Sequence, residues 1–142
     1  EPQRTKFEEI LINSFKGKDK TIAIVSGRPE LNSDYTDNNI TFYSFLDGQP
    51  LAEIIGSSEV IISRPGYSSL MDLMKLEANC VFVPTPGQTE QEYLAEIQKQ
   101  NGIGTVLQKE LSYDRICSAS NGKFEIQTSS FDFVAEVNSL IK

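Results

Sequence analysis

The centre of the chain alternates short apolar runs with a helical pattern of apolar positions. Residues 60–62 form a β-branched apolar run, which is typical of a buried strand. A break follows at residues 63–66, and from residue 67 the apolar side chains recur at about 100° per residue on one broad helical face. These side chains are Leu70, Met71, Leu73, Met74, Leu76 and Ala78. Residues 80–83 read as the next strand, so the segment predicts a βαβ unit in a parallel sheet with right-handed crossovers.

The same alternation of strand and helix patterns continues on both sides of this unit. It predicts further strands at residues 21–25, 40–43 and 105–107, the last at a sheet edge, and helices at residues 4–15, 51–56, 89–101, 111–117 and 131–141. Residues 31–39 are polar and predict an irregular surface loop, whereas residues 124–127 stay unassigned. The fold class is therefore α/β, with a parallel sheet between layers of helices.

Two helix ends carry specific signals. Phe7, Leu11 and Phe15 recur at helical spacing, and Gly17 is a plausible stop for that first helix. Thr89 followed by Glu92 fits a capping box at the start of the helix 89–101, whose predicted inward residues are Tyr93, Leu94 and Ile97. A parallel sheet whose chain starts directly in a helix is unusual. We therefore expect a further strand upstream, and we treat residues 1–142 as one domain of a larger protein.

Composition narrows the classes of function. Lys and Arg number 13 against 20 Asp and Glu, and the net charge of −7 argues against a nucleic-acid or polybasic membrane surface. It does not exclude an anionic ligand, because helix N-termini bind phosphate without net positive charge. No histidine and no metal-ligand spacing is present, and no apolar run is as long as a membrane span. Cys80 and Cys117 lie in or beside apolar runs, which predicts buried free thiols of a cytosolic protein.

The positions of the loops predict where a ligand binds. Parallel sheets bind ligands at the carboxyl ends of their strands, where loops enter helices. The loops at residues 63–69 and 84–89 both lie at such ends. Asp72 falls on the polar face of the helix that follows the first loop, together with Ser68 and Lys75.

The run ISRPGYSSLMDLMKLEANCVFVPTPGQTEQEYLAE, residues 62–96, resembles the C-terminal, donor-binding domain of GT-B glycosyltransferases. The resemblance is to the family 28 type, which includes the N-acetylglucosaminyltransferases that form lipid II. It implies a three-layer Rossmann-like parallel sheet that is one half of a GT-B architecture. It extends from about residue 21 to residue 107. The combined pattern is fairly specific, although each piece alone would be weak.

The resemblance implies a set of nucleotide contacts. Leu46 corresponds to a position whose backbone holds the uracil base, and Asp72 corresponds to a Glu that bonds the ribose hydroxyls. Ser26 and Gly27 fall in a loop that lies close to the ligand. Asp72 is one methylene shorter than Glu, and early in a helix it could instead only favour the helix dipole.

Further contacts are implied for the diphosphate and the sugar. Gly66 and Ser69, with Arg64 beside them, correspond to the diphosphate loop, and Gln91 corresponds to a contact with the donor sugar. Structural alternatives remain open for these residues: a tight turn for Gly66, a helix cap for Ser69 and an ion pair for Arg64. Glu92 and Ala95 depart from the family pattern, where a second Gln and an Asn stand, and this leaves the sugar open.

The implied function is that of a donor-binding domain of a cytoplasmic glycosyltransferase. The ligand would be a UDP-sugar of the UDP-GlcNAc kind, without a cofactor or metal. The catalytic base would come from an N-terminal acceptor-binding domain, which would also make any peripheral membrane contact. The sequence leaves three alternatives open: a non-catalytic nucleotide-sugar-binding subunit of a two-component glycosyltransferase, a sugar-nucleotide epimerase domain, and an α/β interaction domain.

Overall fold

A sheet of seven strands forms the middle layer of the part of the chain that the computed structural model describes, residues 2–75, 79–120 and 133–136. The strands are β1 (Ile22–Val25), β2 (Tyr35–Asp37), β3 (Ile40–Tyr43), β4 (Val60–Ser63), β5 (Cys80–Phe82), β6 (Gly104–Thr105) and β7 (Phe133–Glu136). Their order is β2-β3-β1-β7-β4-β5-β6. Every neighbouring pair is parallel except β2 with β3.

Helices cover both faces of this sheet. They are α1 (Pro2–Phe15), α2 (Gly48–Gly56), α3 (Tyr67–Lys75), α4 (Thr89–Gln100) and α5 (Tyr113–Ala119), with short 3₁₀ helices at Pro29–Leu31 and Gln108–Glu110. On one face α1 and α5 bury Phe7, Leu11, Phe15 and Ile116. On the other face α2, α3 and α4 bury Leu51, Ile55, Leu70, Leu73 and Leu94. The predicted three-layer α/β architecture is confirmed.

The predicted βαβ unit is present as a parallel pair. Ile61 of β4 lies opposite Cys80 of β5, and α3 makes the connection between the two strands. The strand predicted at residues 105–107 is shorter than expected, since β6 covers only Gly104–Thr105, but it does lie at a sheet edge. All residues of β4 and β5 are buried, which explains their continuous apolar runs.

The predicted surface loop at residues 31–39 is wrong in part, because it contains β2. This strand pairs antiparallel with β3 through a two-residue turn at Asn38 and Asn39, and Asn38 adopts a positive φ of 55°. Tyr35 stacks on Phe42 with ring centroids 5.1 Å apart. All three β2 residues are exposed, so the strand carries no alternation of buried and exposed positions that a sequence pattern could reveal.

The predicted C-terminal helix at residues 131–141 is also wrong, since Phe133–Glu136 forms the central strand β7. Both of its neighbours, β1 and β4, pair with it in parallel, and Ala135 is fully buried. The run Phe133-Val134-Ala135 shows no alternation of apolar and polar residues, so its residues fit a helical spacing equally well. The remainder of that prediction, the unassigned residues 124–127, and the expected core positions Leu76 and Ala78 lie outside the described residues.

Two predicted core side chains face solvent instead. Met71 of α3 is 61% exposed and Tyr93 of α4 is 63% exposed, whereas their neighbours Leu70 and Leu94 are buried. Each lies one position away from a buried residue, so about 100° of helical rotation turns it out of the core. The apolar face of each helix is narrower than the sequence suggested.

Both cysteines are free, as predicted. Cys80 is buried, and this burial raises the pKa of its thiol to about 12, so the thiol stays protonated at neutral pH. Cys117 is half-buried, and its pKa is also raised, chiefly by burial. None of the described helices has the length and hydropathy needed to cross a membrane.

Asn39 joins the end of α1 to the start of the sheet. Its Nδ2 donates to the carbonyl oxygens of Phe15 at 2.8 Å and Lys20 at 2.6 Å, and its Oδ1 accepts from the Gly17 amide at 2.8 Å. Gly17 adopts a φ of 79°, which ends the helix in the left-handed region that glycine favours. The amide side chain thus satisfies one backbone donor and two backbone acceptors.

We expect Asn39→Ala to lower the free energy of unfolding by about 2–4 kcal/mol, since it removes three hydrogen bonds between the side chain and the backbone. Chemical denaturation followed by circular dichroism would measure the change. Asn38→Gly is the matched control: Asn38 is exposed and has a positive φ that glycine tolerates, so its stability should barely change. Equal losses in the two variants would contradict this role for Asn39.

Candidate functional site

The carboxyl ends of the parallel strands define one edge of the sheet, from which loops follow β1, β3, β4 and β5. The chain steps outward in one direction from β1 to β3 and in the other from β4 to β5 and β6. Such a reversal opens a crevice between the loops, and open α/β sheets bind ligands there. Here β7 separates β1 from β4, so the two groups of loops lie two strand spacings apart, about 10 Å.

Three helices begin at this edge on one face of the sheet. The first residues of α2, α3 and α4 follow the loops after β3, β4 and β5. The first amides of a helix have no partner within the helix, and the helix dipole adds partial positive charge there. The edge therefore favours an anionic group despite the protein's net charge of −7.

On the β1 side, the loop after β1 is tied to the loop after β3. The Ser26 amide donates to the carbonyl of Tyr43 at 2.9 Å, and the Arg28 amide donates to that of Ser44 at 2.6 Å. Gly27 adopts a φ of 74°, a conformation that other residues rarely take, so this glycine is required by the turn. The side chain of Leu46 is partly buried and packs against the core formed by α2, α3 and α4, which leaves its backbone for any recognition.

Ser26 takes part in a buried polar network rather than facing the crevice. Its hydroxyl donates to Glu8 Oε2 at 2.5 Å and accepts from Arg28 Nε at 2.7 Å, and its side chain is fully buried. Arg28 Nη2 also forms an ion pair with Glu8 Oε1 at 2.5 Å. The side chains of Arg28 and Glu8 are only 18% and 7% exposed. The network fixes α1 against the loop after β1.

On the β4 side, Arg64 connects three loops. Its Nη1 donates to the Val83 carbonyl at 2.9 Å, and its Nη2 donates to Gln108 Oε1 at 2.7 Å. The guanidinium also lies 3.9 Å from the ring centroid of Phe7 in α1. These contacts direct the side chain toward α1 and the loop after β6, and they hold the loops after β4, β5 and β6 in register.

Gly66, at the entry to α3, has no evident structural need to be glycine. Its φ is not in the left-handed region, and a Cβ at this position would meet no heavy atom of the described residues within 4 Å. The tight-turn explanation that the sequence left open therefore loses its basis. The other explanation, close approach of a ligand to the backbone, stays a prediction.

Ser69 and Asp72 lie in the first two turns of α3, after this open loop. Asp72 is half-buried, in contrast to Leu70 and Leu73, whose side chains are 7% and 2% exposed. The predicted separation of Asp72 from the core-facing leucines is thus present in the structure.

Gln91 and Glu92 both bond back to the loop that precedes α4. Gln91 Oε1 accepts from the Thr85 amide at 2.8 Å, and Glu92 Oε2 accepts from the Gly87 amide at 3.2 Å. The N-cap residue is Gln88, without a side-chain cap bond, so the predicted Thr89 capping box is wrong although Glu92 does bond a loop amide. Because a backbone amide can only donate, the bond from Thr85 fixes the orientation of the Gln91 amide group and leaves its Nε2 as a donor.

The predicted site residues therefore form two groups. Ser26, Gly27 and Leu46 lie together on the β1 side, and the others lie on the β4 and β5 side. Sequence reasoning missed Glu8, Arg28 and Gln108. Two of these residues could have been found from the sequence: Glu8 is a carboxylate beside the apolar stripe of α1, and Arg28 follows a buried strand. No sequence feature marked Gln108. The described residues contain no cluster of three or more side chains suited to a metal ion.

Comparison with known proteins gives one family. A sequence model described as the glycosyltransferase family 28 C-terminal domain matches residues 3–141. Searches of curated proteins and of solved structures return no match.

Arg28→Met should destabilise the protein by about 3–5 kcal/mol, because it leaves the carboxylate of Glu8 buried without its cationic partner. Thermal and denaturant unfolding would both report the loss. Lys16→Met removes the cation of an exposed ion pair with Asp37, whose side chains are 48% and 50% exposed. That control should change the free energy of unfolding by no more than about 1 kcal/mol. If Arg28→Met loses no more stability than Lys16→Met, the prediction for the buried ion pair is wrong.

Proposed function

The chain belongs to the family of glycosyltransferase family 28 C-terminal domains, and on that premise we propose that it binds a UDP-sugar of the UDP-GlcNAc kind at the carboxyl edge of its sheet. The ligand would cross the crevice from the β1 side, which holds the nucleoside, to the β5 side, which holds the sugar. The diphosphate would lie between them, at the start of α3.

Gly66 is the observation that carries this placement. It combines an open position, a φ that other residues adopt freely, and a location at the first turn of a helix. Backbone amides at such a turn can bond phosphate oxygens directly, provided that no side chain keeps the ligand away. Ser69, two residues into α3, would add a hydroxyl at the same helix start.

The nucleoside contacts follow from the two sides of the crevice. We assign the base to the backbone of the loop at Leu46, whose side chain is held in the core, and the ribose hydroxyls to the carboxylate of Asp72. Ser26 and Gly27 would shape the loop next to the base rather than contact the ligand through side chains. Arg64 would act mainly by holding the loops, since its donors point to protein acceptors.

Gln91 would recognise the sugar as a hydrogen-bond donor. Its oxygen is occupied by the Thr85 amide, so Nε2 is the atom that remains for a sugar oxygen. This differs from a freely rotating glutamine, which could present either atom. The sugar would therefore offer an acceptor oxygen on the side of α4.

Glycosyl transfer needs a stabilised leaving group and a deprotonated acceptor hydroxyl. The start of α3 can stabilise the diphosphate that leaves. A base must lie within hydrogen-bond reach of the acceptor, and the sequence contains no histidine. We therefore place the base and the acceptor on an N-terminal partner domain, together with any membrane contact, and we expect this chain alone to bind the donor without turning it over.

Titration of the chain with UDP, GDP and dTDP by isothermal calorimetry tests the proposal. UDP should bind most tightly, and addition of UDP-sugar without a partner domain should give no transfer or hydrolysis. Failure of UDP to bind, or a preference for GDP, would overturn the assignment.

Gly66→Ala should weaken UDP binding by about tenfold or more, since the added methyl group occupies the place of the phosphate. Its thermal midpoint should stay unchanged or rise slightly, because alanine reduces the entropy of the unfolded chain. Gly56→Ala is the matched control: that glycine is also open and without a positive φ, but it lies at the far end of α2. Unchanged UDP affinity in Gly66→Ala would remove the diphosphate from this turn.

Asp72→Ala should weaken UDP binding by roughly tenfold to a hundredfold, since a carboxylate that accepts both ribose hydroxyls makes charge-assisted hydrogen bonds. The half-buried carboxylate contributes little to folding, so the thermal midpoint should remain close to that of the wild type. A 2′,3′-dideoxy nucleotide provides the control, because it should bind the wild type and the variant equally. If the variant binds UDP as well as the wild type, or loses binding only through unfolding, Asp72 does not hold the ribose.

A further inference from the structure

A small cavity of about 260 Å³ lies between the loop that precedes α4 and the loop after β6, at the same edge of the sheet. It is lined by Pro84, Pro86, Glu92, Leu107, Gln108 and Lys109. The two prolines flank Thr85, whose amide holds Gln91, and Leu107 and Gln108 follow β6. Since β5 and β6 are neighbours in the sheet, the cavity lies between their two loops, on the side of Gln91 away from β1.

The wall of this cavity is apolar. Proline has no amide donor, and Leu107 presents a large apolar side chain that is 47% exposed. Gln108 is 5% exposed, and its amide group is bonded at both ends: Oε1 accepts from Arg64, and Nε2 donates to Gln3 Oε1 at 3.3 Å. A sugar hydroxyl placed against the prolines and Leu107 would lose water without gaining a partner.

The rim of the cavity is charged. Glu92 and Lys109 both line it, and both are exposed. An anionic acceptor and a cationic donor on one rim suit a group that offers both an N–H and a carbonyl oxygen. A secondary amide with a short alkyl end has this combination, since its polar part matches the rim and its alkyl end matches the wall.

We propose that this cavity is the subsite for the acylamino substituent of the donor sugar, and this inference rests on the proposed function. Its volume lies below the range of about 300–1,000 Å³ that encloses whole small-molecule ligands, so it suits one substituent rather than a nucleotide. Gln91 Nε2 would hold the sugar ring at the mouth of the cavity, and the acyl group would enter between Pro84, Pro86 and Leu107.

The test compares UDP, UDP-glucose and UDP-GlcNAc by calorimetry on the full chain. The wild type should bind UDP-GlcNAc about three- to tenfold more tightly than UDP-glucose, as expected for burial of one methyl group with its amide. Leu107→Asn, which keeps the size of the side chain and makes it polar, should abolish this difference and leave the affinity for UDP unchanged. Leu31→Asn, at a residue that is 41% exposed and lies after β1, should retain the difference.

The outcomes separate this inference from the proposed function. Equal binding of the two UDP-sugars by the wild type, or a difference that survives in Leu107→Asn, overturns the subsite while the donor site stands. Failure of the wild type to bind UDP overturns both. The affinity of each variant for UDP reports whether its fold is intact.

Discussion

The buried ion pair between Glu8 and Arg28 is the constraint on which the carboxyl edge depends. Removing two charges from water is costly, and their attraction repays that cost only when the remaining hydrogen-bonding groups are satisfied. Ser26 supplies that satisfaction, because its hydroxyl bonds both partners at once. The pair therefore forms only when α1 lies in one position against the loop after β1, and this position also brings the ring of Phe7 under Arg64. One helix thus fixes loops on both sides of the crevice without lining its mouth.

The pattern of apolar residues along the chain correctly predicted the strands and helices that bury these residues in the core. The strands β1, β3, β4 and β5 and the helices α1, α3 and α4 lie close to their predicted positions. Each buries a continuous apolar run, one alternating face or a helical stripe. The two strands that it missed carry no alternation of apolar and polar residues that would mark a strand. β2 is fully exposed, so its pairing is directed by the Asn38–Asn39 turn, and the short apolar run of β7 cannot be told from part of a helical stripe.

The sequence also predicted only part of the candidate site. The sequence located the loops and the side of α3 that bears Asp72, since both follow from the βαβ order. It could not show that the hydroxyl of Ser26 faces Glu8 or that the side-chain oxygen of Gln91 accepts a backbone hydrogen bond. It also could not show that a Cβ at Gly66 would meet no other atom. These facts depend on contacts between residues that are separated in the chain, such as Ser26 and Glu8, which are 18 positions apart and which only the folded packing brings together.

The two outer strands also determine what the sheet can do with other chains. β2 and β6 have three and two residues, so neither outer strand offers more than a short row of backbone groups. Asp37 at the end of β2 is tied to Lys16 at 2.9 Å, which places charge beside that row. Short edge strands and charged residues beside them are devices by which soluble proteins avoid pairing with a strand of another chain. In the part of the chain that the structure describes, both outer strands are short and the β2 side also carries charge, so both disfavour edge-to-edge pairing.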